Sequence, residues 1–479
     1  MSEDLLHGNP LAPQWLQVPD DVNALAPAVW SQHAARNGVG AIEVAGVSAP
    51  ELATQFGTPL YVIDEADARA RAVAARTAFD REFARVGSAA RVYYAGKAFL
   101  SSEVARWVTE SGLSLDVASG GELAVALAAG VDPGSIGLHG NNKSAAEIDR
   151  AVSSGVGVII IDSLIEIERI AQAAGRHSRR QRVRLRVNSG VHAHTHEFLA
   201  TAREDQKFGI ALADAVATVA VIRAHSELDF VGLHCHIGSQ IFETDGFAES
   251  ARRLMAVHAQ LLQDGPVPEL NLGGGFGIAY TSTDVALSFD DIAAALANMV
   301  AAEAERLGVP VPIVAVEPGR AIIGPSGFTL YEVGTTKDVL VDGTAVRRYV
   351  SIDGGMSDNA RTALYGADYS ARIANRSSEA VPALSRVVGK HCESGDIVVD
   401  AEYLPADVHP GDLLAVPVTG AYCWSLSSNY NYLARPAVVA VADGLARVIV
   451  HGETEADLLA RDAGLTSDQP HPTRNGTTT

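Results

Sequence analysis

The sequence predicts an α/β fold: a (β/α)8 barrel of the TIM type joined to a discontinuous C-terminal β domain of sandwich or barrel-like form. Three observations lead there. The chain has 479 residues, more than one hydrophobic core usually serves, so two domains are expected. Between about Asp64 and Pro325, short β-branched runs ending in Gly, Asn, Asp or His alternate with Ala/Leu-rich amphipathic segments. From Phe328 onward the runs stay short and β-rich, but Gly, Asp and Pro turns separate them.

Taken in order, the spacing predicts strands at 91–94, 113–117, 135–138, 158–161, 183–187, 230–233, 269–272 and 313–316. Helical patterns lie between, among them 122–129, 165–174, 211–225, 247–262 and 292–307. Eight such alternations over about 250 residues are what a closed parallel barrel requires. An open doubly wound sheet fits less well, because no G-x-G-x-x-G opens a helix after the first strand. In the β domain, runs at 328–333, 349–352, 397–399, 413–417 and 437–440 read as strands, and the extended stretch 59–63 is expected to join them. The expected divisions are 1–63 for an N-terminal extension plus that joining segment, 64–325 for the barrel, 326–465 for the β domain and 466–479 for a polar, disordered tail. Some forty N-terminal residues, with three prolines before Val22, show no assignable pattern.

Composition narrows the function. With 47% hydrophobic residues the chain can bury a large core, and a formal net charge of -20 argues against nucleic acid as a partner. A local cationic pocket for a small anion remains compatible with that charge. Three cysteines, Cys235, Cys392 and Cys423, give no disulfide framework and suit a reducing cytoplasm. The first residues lack a basic flank and an apolar run, and no stretch approaches the ~20 apolar residues that span a bilayer. A soluble cytoplasmic protein is expected.

The barrel reading organises the chemistry, because barrel active sites lie at the C-terminal ends of the strands. Lys97 follows the first predicted strand and Asp116 ends the second. His139, Asn141 and Asn142 follow the third, and His236, Gly238 and Ser239 follow the sixth. Gly273-Gly274-Gly275 follows the seventh, and Glu317-Pro318-Gly319-Arg320 follows the eighth. A lysine past a strand is usually a solvated surface group, yet Lys97 is flanked by Tyr93, Tyr94, Ala95, Ala98 and Phe99, an apolar setting that favours imine chemistry. Three glycines can be a tight turn alone, but after the seventh strand they sit where barrels bind phosphate through backbone N–H groups. Glu317 can be a salt bridge to Arg320; it can also keep a pyridine nitrogen protonated and make the ring a strong electron sink. A lysine, a phosphate loop and that carboxylate together describe a pyridoxal 5'-phosphate site.

Decarboxylation leaves a carbanion, so a strong sink suits it better than racemisation. Cys392-Glu393-Ser394-Gly395-Asp396 lies outside the barrel, in a polar loop where a thiol can serve as proton donor. To reach the barrel mouth, either the β domain folds back or a second subunit supplies the loop. The histidines offer a rival: His192-Ala193-His194-Thr195-His196 and His234-Cys235-His236 have the alternation of metal-dependent barrel hydrolases. Such pairs usually sit on an early strand, however, and the eighth strand ends in Glu317 rather than an aspartate.

With these segments in place the chain resembles the diaminopimelate decarboxylases, members of the alanine-racemase-like, fold-type III pyridoxal-phosphate enzymes. The resemblance runs from Ala45 to Pro436. In the barrel it is carried by Tyr94-Ala95-Gly96-Lys97-Ala98, Leu115-Asp116-Val117-Ala118-Ser119-Gly120-Gly121-Glu122, His139-Gly140-Asn141-Asn142-Lys143-Ser144, Lys207-Phe208-Gly209, His234-Cys235-His236-Ile237-Gly238-Ser239-Gln240, Gly273-Gly274-Gly275-Phe276 and Glu317-Pro318-Gly319-Arg320. In the β domain Asp353-Gly354-Gly355-Met356, Arg361 with Tyr365-Gly366, Cys392-Glu393-Ser394-Gly395-Asp396, Gly420-Ala421-Tyr422 and Ser428-Asn429-Tyr430-Asn431 match as well. The longer N-terminal segment resembles actinobacterial-type members and carries no expected site.

The resemblance implies roles. Lys97 would hold the cofactor covalently, His236 would stack on its ring and Glu317 would hold its nitrogen. Asp116, Ser239, Gly275, Pro318, Gly319, Arg320 and Tyr422 would complete the cofactor site. Arg320, Arg361, Tyr365 and Tyr422 would bind the substrate's distal carboxylate end, with Glu393 on its distal ammonium. Cys392 would protonate the carbon that loses carbon dioxide from the D-centre of meso-2,6-diaminopimelate, giving L-lysine. In this family Cys392 and Glu393 come from the partner subunit, which implies a homodimer. Ornithine and arginine decarboxylases of the same fold are the nearest alternative; they usually read Cys-Asp where this chain has Cys392-Glu393.

Overall fold

The computed structural model describes residues 9–191, 207–343 and 345–465. Eight parallel strands close on themselves: β1 (Ala90–Ala95), β2 (Ser114–Val117), β3 (Ile136–Leu138), β4 (Val158–Ile161), β5 (Gln181–Asn188), β6 (Leu228–His234), β7 (Glu269–Asn271) and β8 (Ile313–Val316). Each pairs with the next, and β8 pairs with β1. All four residues of β4 are buried, as expected where helices cover one face of a sheet and barrel packing the other.

Ser101, Ser119, Ser144 and Ser288 each accept a hydrogen bond from the backbone N–H three residues on, which fixes where the following helices begin. The helices expected at 122–129, 165–174, 247–262 and 292–307 start and stop within a few residues of Gly120–Ala128, Leu164–Arg176, Asp245–Leu261 and Phe289–Leu307. The one expected at 211–225 begins only at Ala215, because Ile210–Ala211 pairs with β5 and Leu212–Asp214 forms a 3-10 turn. The first histidine run, His192 to His196, and the 466–479 tail lie outside the described residues.

The β domain is discontinuous. Leu60–Asp64 lies between Gly327–Val341, to which it is antiparallel, and Val438–Ala442, to which it is parallel. Gly327–Val341 also pairs with Ala345–Ile352 and Leu413–Pro417. The N-terminal residues form an element that the sequence pattern did not reveal. Ala34–Arg36, Ile42–Val44 and Val47–Ser48 make a small antiparallel sheet of their own. Before it, Leu11, Ala12 and Leu16 pack on Leu384, Ala401 and Tyr403 of the β domain. Among the described residues no helix is long and apolar enough to cross a membrane.

Candidate active site

The rim formed by the C-terminal strand ends faces a loop of the β domain. Lys97 sits in the single 3-10 turn Gly96–Ala98 directly after β1. Tyr422 N–H donates to Ala98 O at 2.8 Å and Ser425 Oγ to the same oxygen at 2.8 Å, while Phe99 meets Trp424 edge-on at 5.4 Å. These contacts seat the β-domain loop on the lysine turn. Between them opens a cavity of about 960 Å³, with Lys97, Ser239, Tyr280, Arg320, Arg361 and Tyr422 on its wall. Tyr365, 68% exposed, stands at its edge.

Below the cavity the glycine run has no room for side chains. A Cβ on Gly274 would lie 2.1 Å from Glu317 O, and one on Gly275 would lie 2.1 Å from Gly238 O. Gly273 and Gly275 have φ of +71° and +105°, which favour glycine. The run is stitched to its neighbours: Glu317 N–H donates to Gly273 O at 2.9 Å, and Gly274 N–H to His236 Nδ1 at 3.4 Å. Pro318 O accepts from Ala95 N–H at 3.3 Å, and a Cβ on Gly319 would lie 2.8 Å from Ala95 O, so β1 and β8 end in close contact beside Lys97.

Glu317 occupies a polar nest within the barrel mouth. Its Oε1 accepts from Asn271 Nδ2 at 2.6 Å and lies 3.0 Å from His234 Nε2 and 3.6 Å from His139 Nε2. Burial opposes its charge, but His234 and His139 outweigh it and hold its carboxyl well below the usual range. The imidazoles remain neutral: burial pushes His139 and His234 down to about 4. His236 is pushed down to about 3 by burial and by the nearby Lys97 ammonium. Asp116 goes the other way, held well above its ordinary value by burial and by the Glu317 charge. Of the two buried carboxyls, Glu317 is the one whose surroundings favour the charge.

The cationic side of the cavity is arranged differently. Arg320 donates to Ser239 Oγ at 2.9 Å and to Tyr280 Oη at 2.5 Å, and its guanidinium lies 4.5 Å from the centre of the Tyr422 ring. Arg361, only 5% exposed, donates to Tyr369 Oη at 2.7 Å. Among the described residues neither arginine is paired with a carboxylate.

Cys392 and Glu393 are exposed and absent from the cavity wall. Their loop is nonetheless well held. Asp396 accepts from Met356 N–H at 2.6 Å and from His391 N–H at 2.8 Å, and His391 stacks on Tyr430 at 5.2 Å. Within one chain the loop is therefore tied to its own domain and does not line the cavity.

A family profile described as "Pyridoxal-dependent decarboxylase, pyridoxal binding domain" matches residues 69–324. Diaminopimelate decarboxylase of Mycobacterium tuberculosis is 52% identical over 444 residues, covering 91% of this chain and 98% of that protein. The chain belongs to the diaminopimelate decarboxylase family. Diaminopimelate decarboxylase of Corynebacterium efficiens is 48% identical over 448 residues, covering 93% of this chain and 96% of that one. The crystal structure of diaminopimelate decarboxylase from M. jannaschii in complex with L-lysine has a TM-score of 0.83 at 30% identity, covering 90% of this chain and 98% of that one. As expected for this diaminopimelate decarboxylase family member, the cofactor class is pyridoxal phosphate.

Three groups that the sequence did not single out, Asn271, Tyr280 and Trp15, also belong to the neighbourhood, and a fourth has a different setting from the one weighed for it. His234, weighed as half of a metal pair, instead faces Glu317. His139, His234 and Glu317 place ligand atoms within 4.8 Å of one another, but His236 is not in that set and bonds Gly274 N–H. Asn271, at the end of β7, completes the nest, and its rim position was the available signal. Tyr280 and Trp15 line the cavity, the latter from the N-terminal segment, and neither carries a periodic or motif signal.

Proposed function

We propose that this chain removes carbon dioxide from the D-centre of meso-2,6-diaminopimelate to give L-lysine, using pyridoxal 5'-phosphate and working as a cytoplasmic homodimer. The observation that carries the reading is the pair Arg320 and Arg361 on one cavity wall with no carboxylate partner among the described residues. A cation that is nearly buried and unneutralised is costly, and an anionic ligand removes the cost.

The residues at the rim fit the cofactor. A backbone cradle that any Cβ would fill suits a phosphate approached by N–H groups, and an ionised, enclosed Glu317 suits a ring nitrogen that must keep its proton. Lys97 is the amine that would tether the cofactor; Gly275, Pro318, Gly319, Ser239 and Tyr422 would hold its phosphate end, and Asp116 and neutral His236 would contact its ring. Bound there, pyridoxal phosphate supplies the sink for the electron pair that the departing carboxylate leaves behind. Arg320, Arg361, Tyr365 and Tyr422 would hold the distal end of the substrate, so that only the D-centre carboxylate lies over the sink. Glu393 would accept the distal ammonium, and Cys392 Sγ would deliver the proton that replaces the lost carboxylate.

The last two roles require a second copy. Cys392 and Glu393 are exposed and do not line their own cavity, and exposed Leu364, Tyr365, Tyr430 and Tyr432 supply apolar surface for a partner. The deciding assay is carbon dioxide release from meso-2,6-diaminopimelate and from its L,L isomer. Release from the meso form alone, with one L-lysine per carbon dioxide, is expected; equal turnover of L-ornithine would sink the assignment.

A further inference from the structure

We propose that Tyr280 and Tyr369 are positioning residues that aim the two guanidiniums and so set the preference for a ligand with a carboxylate at its far end. The inference rests on the function proposed above. Tyr369 is 1% exposed, and its hydroxyl closes a circuit. It accepts from Arg361 Nη1 at 2.7 Å and lies 3.6 Å from Cys423 Sγ. That sulfur is 3.6 Å from Asn359 Oδ1, which accepts from the backbone N–H of Arg361 at 3.3 Å. Both ends of the arginine are thus tied to one buried set of groups.

Tyr280 touches both cations. Its hydroxyl accepts from Arg320 Nη1 at 2.5 Å, its ring centre lies 4.6 Å from the Arg361 guanidinium, and it meets the Tyr369 ring edge-on at 5.1 Å. Two like charges on one wall repel and would swing apart if held only by their stems. A carboxylate could hold them, but it would neutralise the charge that a ligand needs. Phenols hold them through oxygen acceptors and ring faces while leaving the charge intact.

The test is inhibition of the holoenzyme by L-lysine, which keeps the distal carboxylate, and by cadaverine, which lacks it. In Tyr369→Phe the Ki for L-lysine and the KM for meso-2,6-diaminopimelate should rise about tenfold, the value of one hydrogen bond to a charged group. The Ki for cadaverine and kcat should stay within about twofold, and the visible absorbance of the bound cofactor should not move. In an Arg361→Ala background, adding Tyr369→Phe should leave the L-lysine Ki unchanged, because the arginine it aims is gone. Tyr280→Phe should give the same split between the two ligands through Arg320, and it decides the matter if Tyr369→Phe does not fold. Equal rises for both ligands, no rise for either, or a full effect in the Arg361→Ala background overturn the inference. Failure of the underlying function looks different: the wild-type enzyme would then release no carbon dioxide from meso-2,6-diaminopimelate.

Discussion

Replacing Gly274 by alanine tests whether the glycine run is a site of close approach or only a turn. The new Cβ would sit 2.1 Å from Glu317 O and 2.8 Å from Glu317 C, both backbone atoms that cannot rotate away. Ordinary contact needs about 3.4 Å or more, so the ends of β7 and β8 must separate by roughly 1 Å. That movement stretches the 2.9 Å bond from Glu317 N–H to Gly273 O and drags Glu317 out of its nest. Overpacking of this kind costs about 1–3 kcal/mol, and the strained hydrogen bond adds about 1. Titration of the apoprotein with pyridoxal phosphate, followed by absorbance, should show affinity reduced roughly 30- to 900-fold if that cost falls on the bound state. Gly175→Ala is the control: its Cβ would meet only Glu227 Cγ at 3.9 Å on a surface helix, and affinity should be unchanged. Wild-type affinity in Gly274→Ala would refute the close-approach argument, since nothing else in the geometry relieves that contact.

Glu317→Gln keeps an acceptor for Asn271 but removes the anion, and kcat should fall at least about a hundredfold while the cofactor still binds. Arg361→Ala should lose far more activity on meso-2,6-diaminopimelate than on lysine or ornithine; equal loss on all three would count against a carboxylate at that guanidinium. Lys97→Ala and Cys392→Ala, each inactive alone, should regain up to about a quarter of wild-type activity when mixed and reassembled, as sites built from two subunits do. Persistent inactivity of verified mixed dimers would place each site within one chain. Burial raises Asp358 from 3.8 to about 7, so the folded protein holds a proton there that the unfolded chain has lost. That contribution to stability is present at low pH and disappears as pH rises through about 7, and Asp358→Asn should flatten the fall between about pH 4 and 7 in denaturant titrations.

The barrel was legible because its strands are local apolar runs, and the candidate site residues fall at their ends, a place that topology dictates without side-chain detail. The β-domain partner of 59–63 was legible for the same reason: five apolar or β-prone residues with no helix period. What the sequence left hidden are convergences. Asn271, His139 and His234 reach Glu317 from three different strands, and no spacing in the chain records that meeting. The pair His234 and His236 looks like a metal motif because alternation puts both side chains on one strand face; in the fold they meet different neighbours, Glu317 and Gly274. Trp15 reaches the cavity only because Leu11, Ala12 and Leu16 are anchored on the β domain, a long-range contact invisible to periodicity.

The strand Leu60–Asp64 has a consequence for how the molecule is made. Every residue in it is buried, and both of its hydrogen-bonding edges are occupied by strands that begin at Gly327 and Val438. A ribosome adding 5–20 residues per second needs roughly 13–50 s to produce the first of those partners. Through that interval an apolar ribbon emerges early and waits while the barrel can already close behind it. The second domain is thus closed around a strand made long before its partners, and nascent molecules carry that strand's unprotected edges until Val438–Ala442 has been made.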